Sequence, residues 1–312
     1  MSLIHFIVYN IIKKGKKEFD KNNPPDYVLR RKQEIQSRAP KNVKVEQIAN
    51  GGFVGEYLSK EGNSKDKVLM YIHGGGFVGG SPAARRAFTG YVVNKLGYNV
   101  YSVEYRLAPE YPFSCGSEDC LKAYKTLVEK HGAKNICLIG ESAGGNLVLS
   151  VALQAKAQGI GLPACIVVFS PTLQYTRIFP SYKNNAKTDC MLDITFLEEV
   201  KTTYLKTLEN ETNPYAAPLY GDFTGFPPTF IGVSDSEYLY DDSVELNKRL
   251  QKFGVKSNLT VYHKKMHAFQ VIPVLPEAKR ALKNAKSFID KYLMSTEQLH
   301  LFPVAQKQPP KT

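Results

Sequence analysis

An α/β architecture is expected for this chain, a mostly parallel central sheet with helices on both faces, and three observations predict it. Short, largely apolar runs recur at residues 68–72, 99–103, 136–139, 165–169, 229–233 and 259–262. Helical stretches at 83–96, 117–131, 143–158, 241–253 and 276–293 lie between several of them. Strands of this kind, alternating with helices long enough to cross back over a sheet, indicate a parallel sheet covered on both sides. The chain's 312 residues are enough for one large domain and its core.

Taken in order, the elements begin with a nearly all-apolar stretch at residues 3–12, followed by Lys13-Lys-Gly-Lys-Lys17. It is about half the length a bilayer span needs. Its charges follow the apolar run, whereas a signal peptide places them first. A short helix that packs on the protein or lies on a surface is expected. Residues 43–48 and 53–58 alternate, with Ala49-Asn-Gly-Gly52 as a hairpin turn between them. The parallel units follow, interrupted at 172–213 by a polar, helical stretch that offers no strand. The expected organisation is N-terminal cap helices over 1–45, a catalytic domain over 46–295 with the 172–213 insertion completing the cap, and a flexible tail over 296–312.

Charge and cysteine content narrow the function classes. Residues 1–45 hold eleven Lys/Arg against four Asp/Glu, a surplus of seven out of the chain's +12. A solvated basic face accounts for this, and weak peripheral contact with anionic lipid is the alternative. No nucleic-acid-binding motif accompanies the charge. The five cysteines are odd in number, irregularly spaced and free of CxxC pairs, so neither a disulfide framework nor a zinc site is expected. An intracellular, cytoplasmic protein is the expectation.

The chemistry centres on Gly140-Glu-Ser-Ala-Gly-Gly145, a G-x-S-x-G pattern between an apolar run and an amphipathic helix. Small residues let the backbone turn sharply there, holding Ser142 at the tip of a strained turn with the helix N-terminus behind it. A serine hydroxyl needs a base, and the base an orienting acid. Of six histidines, His267 follows the last expected strand, where a loop brings it over the sheet, and His263 is the reserve. Asp235 ends the strand at 229–233, whereas Asp241 and Asp242 are explained by the start of a helix. Val68-Leu-Met-Tyr-Ile-His-Gly-Gly-Gly76 supplies a bare backbone whose N–H groups could hold a developing oxyanion beside the N–H of Ala143. A phosphate-binding loop would need a Lys-Ser/Thr ending, which is absent.

These pieces, with Glu104-Tyr-Arg-Leu-Ala-Pro-Glu110, Asn213-Pro-Tyr-Ala-Ala-Pro218, Pro227-Pro228 and Met266-His267, occur in an order that resembles the hormone-sensitive-lipase-like family of α/β-hydrolase carboxylesterases. The resemblance spans roughly residues 68–293. It implies an α/β-hydrolase fold with a helical cap, a triad of Ser142, Asp235 and His267, and oxyanion donors on Gly75, Gly76 and Ala143. It further implies that His73 shapes the glycine loop and that Glu104 and Arg106 form a buried network beneath the site. Three positions depart from the family pattern. Glu141 replaces an aspartate, Ser236-Glu237-Tyr238 stands where a Pro-Leu pair follows the acid, and Ala268 replaces a glycine.

The function so implied is a serine carboxylesterase acting on small to medium acyl esters through an acyl-enzyme, without metal or cofactor. An amide or formamide hydrolase using the same triad is the nearest alternative. A non-catalytic ligand receptor on the same scaffold is a third.

Overall fold

The apolar runs pair into one sheet. A computed structural model describes residues 2–16 and 18–293, and within these the strands are β1 (Lys44–Asn50), β2 (Phe53–Ser59), β3 (Ser64–Ile72), β4 (Tyr98–Val103), β5 (Ile136–Glu141), β6 (Cys165–Phe169), β7 (Thr229–Ser234) and β8 (Ser257–Tyr262). Their spatial order is β1-β2-β4-β3-β5-β6-β7-β8. β2 is antiparallel to β1 and β4, and every other pairing is parallel. The sheet is therefore mostly parallel, as expected.

The helices are α1 (Leu3–Gly15), α2 (Tyr27–Lys32), α3 (Arg86–Tyr91), α4 (Cys115–His131), α5 (Ala143–Ala157), α6 (Pro180–Asn184), α7 (Phe196–Val200), α8 (Tyr240–Lys252) and α9 (Pro276–Leu293). Side chains alternate across β3. Val68, Met70 and Ile72 join the core formed with Leu121 of α4, Leu147 of α5 and Leu246 of α8. Leu69 and Tyr71 join the opposite core, with Phe88 of α3 and Leu282 and Ile289 of α9. Burial on both faces explains why the central strands are largely apolar: every residue of β4, β5, β6 and β7 is buried. Each such aliphatic side chain stabilises the fold by about 1.5–3 kcal/mol.

Register decides where the chemistry lies. Ile72 pairs with Gly140 across β3 and β5, Glu141 with Phe169 across β5 and β6, and Phe169 with Gly232 across β6 and β7. The carboxyl ends of four strands thus lie side by side, and the loops leaving them meet above the sheet.

Three local expectations change. β1 runs on to Asn50, and the hairpin turn is Gly51-Gly52 alone, both at positive φ; a two-residue loop keeps the flanking strands in register. β3 starts at Ser64, in a polar extension whose pairing shifts before Val68, and polar residues there give no hydrophobic signal. The 172–213 insertion holds only short helices, α6 and α7 at five residues each, with single turns after them.

The N-terminal segment is tied to that insertion. Lys16 Nζ donates to the carbonyl oxygens of Ala186 and Asp189 at 3.1 and 2.9 Å, and Tyr9 Oη donates to that of Thr188 at 2.7 Å. Tyr27 Oη donates to Glu199 at 2.8 Å. Among the described residues no helix is long and apolar enough to cross a membrane. The expected tail at 296–312 lies outside the described residues.

Candidate active site

The turn from β5 into α5 puts Ser142 at φ 54°, ψ −123°, a conformation that costs a non-glycine residue roughly 1–3 kcal/mol. The surroundings hold it there: its N–H donates to Phe169 O at 2.9 Å, and its carbonyl accepts from Asn146 N at 3.1 Å. Gly144 permits this closeness, since a Cβ there would lie 2.1 Å from Ile72 O.

After β3 the chain enters the glycine loop. The Gly74 N–H donates to Glu141 Oε1 at 2.9 Å, whereas the N–H groups of Gly75 and Gly76 have no acceptor among the described residues. Ala143 opens α5, so its N–H has no acceptor within the helix. A Cβ on Gly75, at φ +137°, would meet Gly79 O at 2.2 Å. His73 lies buried beneath the loop, stacked on Tyr105 with ring centroids 4.3 Å apart, its Nδ1 3.1 Å from Gly74 O. Burial lowers its pKa to about 3, so its ring is neutral and plays no acid–base part at ordinary pH.

His267 points to a different acid from the one expected. Its Nδ1 lies 2.6 Å from Glu237 Oε2, and both side chains are buried. Glu237 Oε1 accepts from Ser170 Oγ at 2.9 Å and from Ser234 N. Burial opposes charging the imidazole, but the hydrogen bond and charge of Glu237 outweigh it, so the pKa of His267 is raised. Burial likewise lifts the Glu237 carboxyl, and its hydrogen bonds from His267 and Ser234 pull it back. Nε2 of His267 is buried without a partner among the described residues. The end of β6 and the residue after it brace both sides of the site: Phe169 accepts from Ser142 N, and Ser170 Oγ accepts from Ala268 N at 3.3 Å.

Asp235 is not at the site. Its Oδ2 lies 2.6 Å from His263 Nδ1, and its Oδ1 accepts from Lys264 N at 2.8 Å. His263, the reserve base, is 75% exposed. Asp235 and Ser236, directly after β7, are half-buried, and the chain turns back into the protein at Glu237. The sequence carried one pointer, since Glu237 stands in the triplet that departs from the family pattern, but it did not choose between the two acids; the burial of Glu237, Tyr238 and Leu239 does.

Glu104 and Arg106 also differ from expectation. Alternation past the end of β4 turns Tyr105 inward and sends its two neighbours outward. Arg106 pairs at the surface with Asp119, Nε to Oδ2 at 2.8 Å. The network beneath the site is instead Glu141, Tyr71 and Arg85. Glu141 Oε2 accepts from Tyr71 Oη at 2.7 Å, and Oε1 from Arg85 Nε at 3.1 Å as well as from Gly74. The Glu141 carboxylate, one methylene further from the backbone than an aspartate's, is thus held by three donors.

Gly75, Gly76, Ser142 and His267 open on one cavity of about 700 Å³. Ile12 of α1, Met191 and Leu192 of the insertion, Phe196 and Glu199 of α7 and Val274 contribute to its wall, as do the charged Arg30, Arg85 and Glu141. Burial raises the pKa of Glu199, against the Tyr27 hydrogen bond that lowers it, so a carboxyl group with weakened acidity sits in a largely apolar wall. Nothing in the sequence singled this residue out. Among the described residues, no cluster of three or more His, Cys, Asp or Glu could hold a metal ion.

Comparison with known proteins agrees with the fold. A family model described as alpha/beta hydrolase fold matches residues 69–271. An esterase of Acinetobacter venetianus is 31% identical over 79% of this chain and 82% of its own length. An acetyl-hydrolase of Streptomyces hygroscopicus is 31% identical over 72% and 75%. The crystal structure of an esterase from the bacterial hormone-sensitive lipase family superposes with a TM-score of 0.86 at 30% identity, covering 94% of this chain and 99% of that one.

Proposed function

This chain belongs to the hormone-sensitive-lipase-like family of α/β-hydrolase carboxylesterases and is a carboxylic ester hydrolase, and on that footing we propose that it works through an acyl-enzyme on Ser142, with His267 as base and Glu237 as its orienting acid. The observation that carries this is the buried 2.6 Å contact of His267 Nδ1 with Glu237, which leaves Nε2 without a partner in the cavity that Ser142 lines.

The chemistry follows from these positions. Ser142 Oγ attacks the ester carbonyl carbon while His267 Nε2 accepts its proton, and Glu237 stabilises the imidazolium through Nδ1–H. The N–H groups of Gly75, Gly76 and Ala143 receive the negative charge that develops on the carbonyl oxygen; each such donor contributes about 10²–10³ in rate. His267 then protonates the departing alcohol. Water, deprotonated by the same nitrogen, releases the acid and restores Ser142.

Residues 1–45 and 172–213 act as the cap over this site, a reading supported by the hydrogen bonds that join them and by Ile12, Met191 and Phe196 in the cavity wall. The cavity's size and its apolar side chains favour small to medium acyl groups. A panel of p-nitrophenyl esters from acetate to palmitate, run beside matched amides, tests the substrate class. Highest kcat/KM at butyrate to octanoate is expected; highest turnover on palmitate, or on the amides, overturns it. Labelling of the wild type but not of Ser142→Ala by a fluorophosphonate tests the nucleophile.

A further inference from the structure

Helix α1 is apolar on two opposite faces. Its inner face, with Val8, Tyr9 and Ile12 beside the buried His5, packs against Phe269, Met266 and neighbouring residues. A helix lying on a protein surface ordinarily turns polar residues to solvent. Here Leu3, Ile4, Phe6, Ile7 and Ile11 are exposed, Leu3 by 74% and Ile11 by 66%. No other element among the described residues exposes more than two large hydrophobic side chains.

The helix is held in place, so this face is a fixed feature of the surface. Ser2 N and Oγ donate to the two carboxyl oxygens of Glu277 at 2.7 and 2.9 Å, and Tyr9 binds Thr188. Charge indicates what covers the face. Residues 2–16 contain no Asp or Glu, and Lys13 and Lys14 are exposed at the end of the helix. A second copy meeting this face about a two-fold axis would set like charges near one another, with no carboxylate on the helix to neutralise them. An anionic lipid surface complements both the apolar face and the lysines.

We propose that α1 docks the enzyme on anionic lipid bilayers, with Leu3, Ile7 and Ile11 in the headgroup–acyl boundary and Lys13 and Lys14 against the lipid phosphates. Ile12, one residue from the docking face, lies in the wall of the catalytic cavity, together with Met191 and Val274, which are themselves exposed. Esters dissolved in the bilayer therefore have a short apolar route to Ser142. The delivery of substrate rests on the esterase reading above, whereas the docking does not.

Flotation of the full chain with vesicles tests the docking. Binding is expected to phosphatidylcholine vesicles containing phosphatidylglycerol, with little to phosphatidylcholine alone and release at high salt. Ile7→Asp/Ile11→Asp, and separately Lys13→Gln/Lys14→Gln, should each weaken partitioning by about tenfold or more. Both variants should hydrolyse water-soluble p-nitrophenyl butyrate like the wild type, which also reports that they fold. Absence of wild-type binding to the anionic vesicles overturns the proposal, as does equal binding by both variants. So does a wild-type dimer in gel filtration that Ile7→Asp/Ile11→Asp splits, since the face would then belong to a second copy. Because the soluble ester is assayed apart from the vesicles, loss of docking and loss of esterase activity are read separately.

Discussion

Asp235 and Glu237 lie two residues apart and bond to different histidines: Asp235 to His263 at the surface, and Glu237 to His267 in the interior, each at 2.6 Å. The difference is one of burial. An exposed ion pair is screened by water and worth about 0–1 kcal/mol. A buried carboxylate holding an imidazole loses far less to screening and can fix both tautomer and orientation.

Substitutions at the two acids should therefore separate cleanly. Glu237→Gln is expected to lower kcat on p-nitrophenyl butyrate by about 10³–10⁴-fold, the scale seen when a triad acid becomes its amide. Asp235→Asn should stay within about threefold of wild type, because surface substitutions away from the site perturb little. The reverse ranking in initial-rate kinetics would return the role to Asp235.

The raised pKa of His267 sets a pH dependence. The base must be neutral to accept the serine proton, so kcat/KM falls as pH drops through that pKa. The acid limb should lie above the ordinary histidine value of 6.5 and move downward in Glu237→Gln. Stability takes the opposite sign. A folded pKa above the unfolded one gives a contribution fully present below the unfolded value and lost as pH rises through the folded one. Chemical denaturation across pH 5–9, compared between wild type and Glu237→Gln, checks that sign.

Gly75→Ala should cost rate through the loop. The new Cβ meets Gly79 O at 2.2 Å in a backbone conformation at φ +137°, so the loop must shift and carry its N–H groups with it. A kcat loss of about 10²–10³-fold is expected, the scale of one lost oxyanion donor. Fluorophosphonate labelling, slowed but still confined to Ser142, would separate this from loss of the nucleophile.

Glu277 anchors the start of α1. Burial raises its pKa and the hydrogen bonds from Ser2 lower it more, to about 2. Its stabilising contribution is thus present above the unfolded value of about 4.5 and lost as pH falls through about 2. Glu277→Gln should reduce amide-exchange protection across Leu3–Gly15 by roughly ten- to a hundredfold, the value of hydrogen bonds to a charged group. Unchanged exchange in that helix would show that other contacts hold it.

The legibility of this chain differs element by element. The strands from 136 to 139 and 165 to 169 could be read because burial on both faces leaves no polar position to blur them. The polar start of β3 at Ser64 could not, because only pairing with Tyr98 makes it a strand. Ser142 and His267 were legible because each stands at a fixed offset from a strand end, beside glycines or a loop. The acid was not, because two carboxyl groups follow β7 within three residues and one-dimensional spacing does not say which way each turns.

Local propensity and periodicity thus determined the parallel sheet, the strained serine turn and the bare glycine loop, since each depends on neighbours within a few positions. Only the tertiary structure decided that Glu237 reaches His267, that Glu141 with Arg85 and Tyr71 supports the loop in place of Glu104 and Arg106, and that the N-terminal helix and the insertion share one cavity wall. Those outcomes depend on which side chains lose their water when distant segments meet, and burial of that kind is settled by packing in three dimensions.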